Sequence, residues 1–229
     1  MTVLITGAGR GLGLEIVKKH IELGDRIIAL AHSMTDELEQ LVMAADKITA
    51  YTCELTCEPE IIRIASEVTG SIDILYNVAG LYYFDQNCGI AGTDMESCRK
   101  MYDVNAVAPL IVMKAFEKHL SAGSIVMNVS SEAGSIGNTG RQGEYGYCMS
   151  KAALNMAGKI FANEHKECRV FCYHPGWIRT RMGGDGAAKS PYSISPEEAA
   201  ECILKVTLGA DKIPENVMYL DYEGRELNW

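Results

Sequence analysis

The first two dozen residues restrict the fold of this chain more than any later segment. A short apolar run at residues 3–5 is followed directly by TGAGRGLG at residues 6–13 and by an amphipathic segment at residues 14–23. This order predicts a buried strand, a tight glycine turn and a helix. Such a turn can present backbone N–H groups to a phosphate. Its spacing, G-x-x-x-G-x-G, is not the G-x-G-x-x-G fingerprint, so the loop alone is equally compatible with a structural turn.

The alternation of strand and helix continues to the end of the chain. The pattern predicts further strands at residues 26–31, 47–53, 72–78, 124–129, 169–173 and 217–220, and helices at residues 36–45, 59–68, 93–118 and 145–164 and after Pro196. Residues 93–96 and 195–198 each have the form of a capping box, and the helix at 93–118 is expected to bend near Pro109. Right-handed crossovers between such strands favour a parallel sheet covered on both faces. We therefore predict an α/β, Rossmann-type doubly wound sheet of about seven strands in a single domain, residues 1–229.

Composition narrows the class of partner. The net charge of −9 and the absence of long Lys or Arg runs argue against nucleic acid. Without C-x-x-C spacing, the eight cysteines are expected to be reduced thiols. The apolar runs are too short for a signal sequence or a membrane span, and the five histidines form no ligand pattern. We expect a cytoplasmic protein with no membrane partner and no metal.

A second constrained segment, NVSSEAGSIGNTGRQGEYGYCMSK, occupies residues 128–151. Tyr147 and Lys151 are four residues apart, which places them on one face of a helix. A neighbouring ammonium favours the phenolate, so the pair predicts a proton donor with a lowered pKa. Ser131 follows an apolar strand and precedes a glycine-rich loop, where its hydroxyl can polarise a carbonyl. The Tyr-x-x-x-Lys spacing alone is a weak signal, because it occurs by chance in many chains and then indicates only a surface pair.

Six fragments in register resemble the classical short-chain dehydrogenase/reductase family, and the resemblance covers essentially the whole chain. They are TGAGRGLG at 6–13, DILYNVAG at 73–80, VNA at 104–106, Ser131, Tyr147-x-x-x-Lys151 and PGWIRT at 175–180. Residues 176–177, 182–184 and 220–229 resemble the branch of sniffer-type carbonyl reductases and the bacterial C-factor. The resemblance implies an NAD(P)-dependent oxidoreductase that reduces an aldehyde, ketone or quinone to an alcohol, or the reverse, by hydride transfer.

The resemblance also implies roles for individual residues. Tyr147 would protonate the substrate oxygen while Ser131 hydrogen-bonds it. Lys151 would hold the nicotinamide ribose and lower the phenol's pKa, and Asn105 would orient a water that links Lys151 to solvent. The residues expected around the cofactor are Gly7, Arg10, Gly11, Leu12, Gly13, His32, Glu54, Leu55, Asn77, Ala79, Gly80, Tyr147, Lys151, Pro175, Gly176, Ile178 and Thr180.

Some of these assignments have alternatives within the sequence. Ser130 competes with Ser131 for the carbonyl contact, and Tyr145 competes with Tyr147 as the phenol. Asn105 could instead cap or kink its helix. The interval from Ser131 to Tyr147 is about three residues longer than is usual in the family, which predicts a modified pocket wall.

The end of the second strand bears on the choice of nicotinamide cofactor. NAD-preferring sites place an acidic side chain there, and this chain has Ala31. Arg10 and His32 could donate to a 2′-phosphate. We therefore predict that NADP(H) is preferred, with NAD(H) as the alternative. Glu54 stands where the family usually has an aspartate near the adenine.

The remaining expectations concern the surface. A hydrophobic pocket, the core or a dimer contact would each account for the aromatic group Tyr82, Tyr83, Phe84 and Trp177. Residues 181–195, rich in glycine, are expected to form a mobile lid over a small-molecule carbonyl or alcohol substrate. The small residues of the helix at 145–164 predict a homodimer or homotetramer. A rival hypothesis is a dinucleotide-binding sensor or signalling protein without a dedicated metabolic substrate.

Overall fold

A single seven-stranded parallel sheet organises the computed structural model, which describes residues 1–83, 89–215 and 218–229. The strand order is β3-β2-β1-β4-β5-β6-β7, and every pairing is parallel. The prediction of a Rossmann-type doubly wound sheet is thereby confirmed. The strands are β1 Thr2–Thr6, β2 Arg26–Ala31, β3 Ile48–Thr52, β4 Ile74–Asn77, β5 Ile125–Val129, β6 Arg169–His174 and β7 Tyr219–Asp221.

Helices cover both faces of this sheet. They are α1 Gly11–Glu22, α2 Asp36–Ala44, α3 Glu58–Glu67, α4 Met95–Tyr102, α5 Ala108–Phe116, α6 Tyr145–Glu164, α7 Gly184–Lys189 and α8 Pro196–Leu208. One hydrophobic core lies between the sheet and α1, α2 and α8, and a second lies between the sheet and α3, α5 and α6. Val3 and Ile5 of β1 enter the first core and Leu4 enters the second, so the strand is apolar throughout because both of its faces are buried.

The helix predicted at residues 93–118 differs most from its prediction. Asp94, not Thr93, caps α4, since its carboxylate accepts the N–H groups of Glu96 and Ser97. The capping box predicted at residues 93–96 is therefore wrong. A π-helical turn over Asp103–Val107 separates α4 from α5. The irregularity thus precedes Pro109, which lies in the first turn of α5, where its missing N–H costs nothing.

The remaining predictions of local structure concern the start of α8, the lid segment, the aromatic group and the last strand. The capping box of Ser195 and Glu198 at the start of α8 is confirmed. The glycine-rich lid segment contains a short helix, α7, that the sequence pattern did not predict. Phe84 and Val217, predicted in the aromatic group and in the last strand, lie outside the described residues.

The strand order determines where a ligand site can form. The chain builds outward from β1 to β3, then crosses to the other side of β1 and continues from β4 to β7. The crossovers that leave β1 and β4 therefore run in opposite directions and open a crevice beyond the carboxyl ends of these strands, where such sheets bind ligands. None of the helices within residues 1–83, 89–215 and 218–229 is long and apolar enough to span a bilayer.

Candidate active site

The glycine loop after β1 folds as a turn that only glycine fits. Gly7 has φ +68°, and a Cβ at this position would lie 2.9 Å from the Cα of Ala79. A Cβ at Gly13 would lie 2.2 Å from the carbonyl oxygen of Gly7. The hydroxyl of Thr6 accepts the N–H groups of Val78 and Ala79, at 3.0 and 3.2 Å, which joins this turn to the end of β4. The loop thus packs closely against the segment after β4.

The N-terminus of α1 is suited to a phosphate group. Arg10 precedes the helix in an extended conformation, and its side chain makes no capping hydrogen bond to the described backbone. Arg10 therefore caps none of the first N–H groups of the helix. These groups point beyond the helix end, where a phosphate can accept them. Leu12 is buried and anchors the helix to the first core. The turn, the close approach of backbone and the open helix end together fit the pyrophosphate of a dinucleotide.

The ends of β2 and β3 place His32 beside Glu54. The His32 side chain is 84% exposed, and its Nδ1 lies 3.4 Å from the Glu54 carboxylate. That carboxylate also accepts the N–H and the hydroxyl of Thr56, at 3.2 and 2.9 Å. Ala31 is buried and contributes no polar atom from its side chain. Leu55, next to Glu54, packs against the second core. A carboxylate thus stands next to the histidine predicted to meet a 2′-phosphate.

Asn77, at the end of β4, points within the sheet. Its side-chain NH₂ donates to the Asn128 side-chain oxygen at 2.8 Å, and its own side-chain oxygen is buried without a partner among the described residues. Gly80 lies further along, and a Cβ there would approach Asn105, Lys151 and the Met182 methyl group at 3.4 to 3.7 Å. Asn77 therefore joins β4 to β5, while Gly80 marks where the predicted lid meets the predicted catalytic residues.

The segment after β6 reaches back to the glycine loop. Pro175 is buried, and Gly176 has φ +80°. Ile178 bridges to Ile194 within the lid segment. A Cβ at Gly11 would lie 3.4 Å from the Thr180 side chain, so Thr180 borders the start of α1.

Tyr147 and Ser131 are brought together at the carboxyl end of β5. Burial raises the pKa of Tyr147 to about 12, and the neighbouring Ser131 side chain acts in the opposite direction. Ser130 is engaged elsewhere, because its hydroxyl donates to the Asn155 side-chain oxygen at 2.6 Å. Tyr145 lies 40% exposed in the first turn of α6. Ser131 and Tyr147, and not Ser130 or Tyr145, therefore form the pair.

Lys151 is buried one turn after Tyr147. Its ammonium Nζ lies 5.8 Å from the centre of the Tyr147 ring and donates to the Val129 carbonyl oxygen at 2.8 Å. Burial lowers the pKa of Lys151 to about 8. The expected lowering of the Tyr147 pKa is not what the polypeptide alone produces, since desolvation of the phenolate outweighs every favourable interaction.

Asn105 lies in the middle of the π-helical turn and is fully buried. Its side-chain oxygen accepts the Leu81 N–H at 2.6 Å, and its NH₂ donates to the Leu81 carbonyl at 2.8 Å and to the Ser150 hydroxyl at 3.0 Å. The wider turn carries this side chain inward, toward the loop after β4 and the residue next to Lys151. Asn105 thus holds the loop over the site, in addition to any contact with water.

The sequence did not predict a charged cluster of Glu132, Arg141 and Glu144 beside the site. The Tyr82 hydroxyl donates to the Glu144 carboxylate at 2.6 Å, and its ring meets the Tyr147 ring edge-on at 5.0 Å. Arg141 pairs with both Glu144 and Glu132. Glu144 has φ +60°, a conformation that costs on the order of 1–2 kcal/mol for a residue other than glycine. The only signal in the sequence was the lengthened interval before Tyr147.

Trp177 follows β6 and packs against the segment that contains α7. Its indole N–H donates to the Gly183 carbonyl at 3.3 Å, and 47% of the residue is exposed. A Cβ at Gly186 would lie 2.9 Å from the indole ring, so the ring rests against the lid helix α7. In the described part of the chain no group of three or more His, Cys, Asp or Glu side chains is arranged for a metal ion.

Comparison with known proteins supports the family resemblance of the sequence. The family model for short chain dehydrogenases matches residues 1–190. The C-signal protein of Myxococcus xanthus is 32% identical over 169 residues, which cover 70% of this chain and 95% of that protein.

Solved structures extend the likeness to the whole chain. A protein described as a short-chain dehydrogenase/reductase of Burkholderia multivorans, with bound NADP, is 27% identical with a TM-score of 0.89, over 100% of this chain and 99% of that one. Carbonyl reductase Sniffer of D. melanogaster is 25% identical with a TM-score of 0.87, over 100% of this chain and 99% of that one. Because the family model spans most of the sequence and these folds superpose throughout, the chain belongs to the short-chain dehydrogenase family of oxidoreductases.

Proposed function

We propose that this enzyme reduces the carbonyl group of an apolar aldehyde, ketone or quinone with NADPH as the preferred hydride donor. The observation that carries the proposal is the Tyr147 phenol next to the Ser131 side chain, with the buried Lys151 one helical turn away. The bound nicotinamide supplies the hydride. The protein's part is to orient the carbonyl and to manage the proton.

Two hydroxyl groups face the oxygen of the substrate in this proposal. Hydride addition to the carbonyl carbon builds negative charge on the oxygen, and the Ser131 and Tyr147 hydroxyls stabilise that charge more in the transition state than in the ground state. Tyr147 then gives its proton to the oxygen. The raised pKa of Tyr147 keeps the phenol protonated and ready to donate at neutral pH.

Lys151 offsets the cost of the phenolate that forms. In the folded chain its ammonium donates to the Val129 carbonyl, which leaves further N–H groups for the nicotinamide ribose. Asn105 is assigned to the proton route between Lys151 and solvent, since its side chain lies beside the same glycine, Gly80, as the Lys151 ammonium. Proton transfer into the site would then pass from solvent through a water held by Asn105 to Lys151 and on to Tyr147, where it replaces the proton given to the substrate.

The preference for NADPH rests on the residues around the adenosine ribose. The last residue of β2 is Ala31, which carries no carboxylate, and Arg10 is exposed at the start of α1, where its guanidinium can reach a 2′-phosphate. Solved neighbours carry NADP, as in the Burkholderia multivorans protein. Glu54 acts against the preference through its carboxylate near His32. Arg10 is therefore the main determinant in this proposal.

The walls of the cleft favour an apolar substrate. Tyr82 meets the Tyr147 ring on one side, and Trp177 stands against the lid helix on the other. Met182 approaches Gly80 from the lid. Aromatic rings and a methionine present little polarity to bind a charged or heavily hydroxylated substrate.

The test is titration of the purified protein with NADPH and NADH, followed by turnover of apolar aldehydes, ketones and quinones measured by loss of nicotinamide absorbance. Tighter binding of NADPH with turnover of at least one carbonyl class supports the proposal. Tighter binding of NADH overturns the cofactor preference alone. Cofactor binding without turnover of any carbonyl would favour the rival sensor function, which the comparisons do not favour.

Assembly and location complete the proposal. Gly158 of α6 packs against β5 and β6, so the predicted small-residue face does not all lie at the surface. The outward side of α6 instead carries Met149, Met156 and Ile160, each at least 57% exposed. We assign this side to a homodimer or homotetramer contact and expect a monomer on light scattering after Met156→Lys with Ile160→Lys.

The seven described cysteines are free thiols, which suits a cytoplasmic enzyme.

A further inference from the structure

The chain folds back on itself after β7. The Asp221 carboxylate accepts N–H groups within the turn, and the Leu227 N–H donates to the Tyr219 carbonyl oxygen at 2.8 Å. Residues 225–229, called the return segment below, therefore run antiparallel to β7. The segment ends at Trp229, beside the loop that follows the Ser131 turn.

Two hydrogen bonds fasten the return segment to that loop, and a stacking contact fastens it to β7. The Gly137 N–H donates to the Trp229 carbonyl at 2.9 Å, and the Ser135 hydroxyl donates to the Asn228 carbonyl at 2.6 Å. The Trp229 indole stacks on the Tyr219 ring with centroids 5.2 Å apart and planes 27° apart. A Cβ at Gly137 would lie 3.0 Å from the Trp229 main-chain oxygen, so a larger residue would have to displace the return segment slightly.

Tyr219 connects this packing to the backbone of Ser131. Its hydroxyl donates to the Ser131 carbonyl oxygen, and the residue is 1% exposed. On the other side, Asn155 accepts from the Ser130 hydroxyl at 2.6 Å and donates to the Gly134 carbonyl at 3.3 Å. The turn that presents Ser131 is thus held from α6 and from β7 at once.

We infer that Tyr219 and Trp229 are positioning residues that hold the Ser131 hydroxyl at the carbonyl site. Trp229 fixes the plane of the Tyr219 ring by stacking, and the Tyr219 hydroxyl fixes the Ser131 backbone. The direction in which the Ser131 side chain leaves that backbone follows from both contacts. The contacts of Tyr219 and Trp229 are with the Ser131 turn and the loop that follows it. Substitution of either residue should therefore change the chemical step and not cofactor binding. This inference rests on the proposed role of Ser131.

The experiment compares Trp229→Ala, Trp229→Phe and Tyr219→Phe with the unchanged enzyme. Trp229 is 45% exposed, so its removal should leave the protein folded, and Tyr219→Phe removes one hydroxyl only. We expect turnover of a carbonyl to fall about tenfold in Trp229→Ala and Tyr219→Phe, because a displacement of about 1 Å at a reacting group can cost on the order of 100-fold. Trp229→Phe keeps a stacking ring and should restore most of the turnover. Glu226→Ala, an exposed change in the same return segment, is the matched control.

Two readouts separate positioning from general instability. The Kd for NADPH and the KM for the carbonyl should change little, so that the loss appears in kcat. Amide hydrogen exchange at residues 131–138 should quicken in Trp229→Ala and not in Glu226→Ala. Unchanged exchange in that stretch, or unchanged turnover in Tyr219→Phe, overturns the inference. Failure of the proposed function is seen separately, as absence of turnover in the unchanged enzyme, and the exchange result still decides whether Trp229 holds the Ser131 loop.

Discussion

The two ends of the cleft are built in opposite ways. At the end proposed for hydride transfer, Lys151 is 3% exposed and Asn105 is 0% exposed, and each bonds to backbone carbonyl or N–H groups at 2.6 to 2.8 Å. At the end proposed for the adenosine, the side chain of His32 is 84% exposed and that of Glu54 is 49% exposed. Buried polar groups must be paired, which fixes their geometry before any ligand arrives. Exposed groups are screened by water and free to move.

This difference assigns separate tasks to the two ends. A rigid, desolvated end can stabilise charge that develops during a reaction, because its dipoles need not reorient. An exposed end can only bias which nucleotide binds, by a modest free energy. Substitutions at the first end should therefore change turnover, and substitutions at the second should change the ratio of NADPH to NADH affinity.

The largest effect is expected from Tyr147→Phe. Loss of a general acid typically costs about 10²–10⁴-fold in rate, while the Kd for NADPH should hold within about twofold because no phosphate contact is lost. Steady-state turnover and fluorescence titration measure the two quantities. Tyr145→Phe removes an exposed phenol two residues earlier on the same helix and serves as the control. If the control loses turnover and Tyr147→Phe keeps it, the assignment of the phenol is reversed.

The next effect is a pH dependence set by Lys151. Burial lowers the pKa of Lys151 to about 8, below its ordinary value of 10.5, so the Lys151 ammonium becomes a neutral amine as the pH rises through about 8. A neutral amine no longer offsets the phenolate of Tyr147, and carbonyl reduction should fall about tenfold per pH unit above that point. A pH profile of kcat at saturating NADPH measures this. Lys159→Met on the same helix should keep the same profile. A flat profile from pH 7 to 10 would remove Lys151 from the proton route.

The rigid end was the more predictable of the two from sequence. Tyr147 and Lys151 share a helix, so their spacing of four residues already defines their relative position. The carboxyl ends of parallel strands meet at one edge, which brought Ser131 to the same place. The strand and helix pattern likewise predicted the sheet, because strands buried on both faces are apolar throughout.

The supports of the site could not be predicted in the same way. Tyr219 and Trp229 reach Ser131 across 88 or more residues of sequence, through pairing of β7 with β6 and the reversal after it. Tyr82 meets Glu144 through a loop whose conformation depends on a left-handed residue. The spacing of the residues carries no information about such contacts. The Tyr147 pKa also departed from expectation, because desolvation depends on the full three-dimensional packing.

Arg10→Ala should shift cofactor choice at the exposed end. A charge-assisted hydrogen bond to a phosphate is worth about 1.5–3 kcal/mol, so the Kd for NADPH should rise about tenfold or more while that for NADH stays near its original value. Titration at two salt concentrations measures this, and the difference should shrink at high salt. Arg63→Ala, an equal change of charge on α3, is the control. Equal losses for both nucleotides would mean that Arg10 meets the pyrophosphate and not a 2′-phosphate.

The smallest effect, and the most direct test of the exposed end, is expected from Glu54→Gln. The Glu54 carboxylate lies 3.4 Å from Nδ1 of His32, so it places negative charge where the 2′-phosphate is proposed to sit. Removing it should lower the Kd for NADPH about two- to fivefold, the range of a screened surface interaction, and leave the Kd for NADH unchanged. Glu39→Gln, on the exposed side of α2, makes the same change in net charge and should have no effect.

Combining Glu54→Gln with His32→Ala shows how the carboxylate acts. If Glu54 weakens NADPH binding by holding His32 away from the phosphate, the gain from Glu54→Gln disappears once His32 is removed. If it acts by direct repulsion, the gain persists in the double variant. Tighter NADH binding in Glu54→Gln would place the carboxylate away from the phosphate and against the adenine. The cofactor preference would then depend on Arg10 alone.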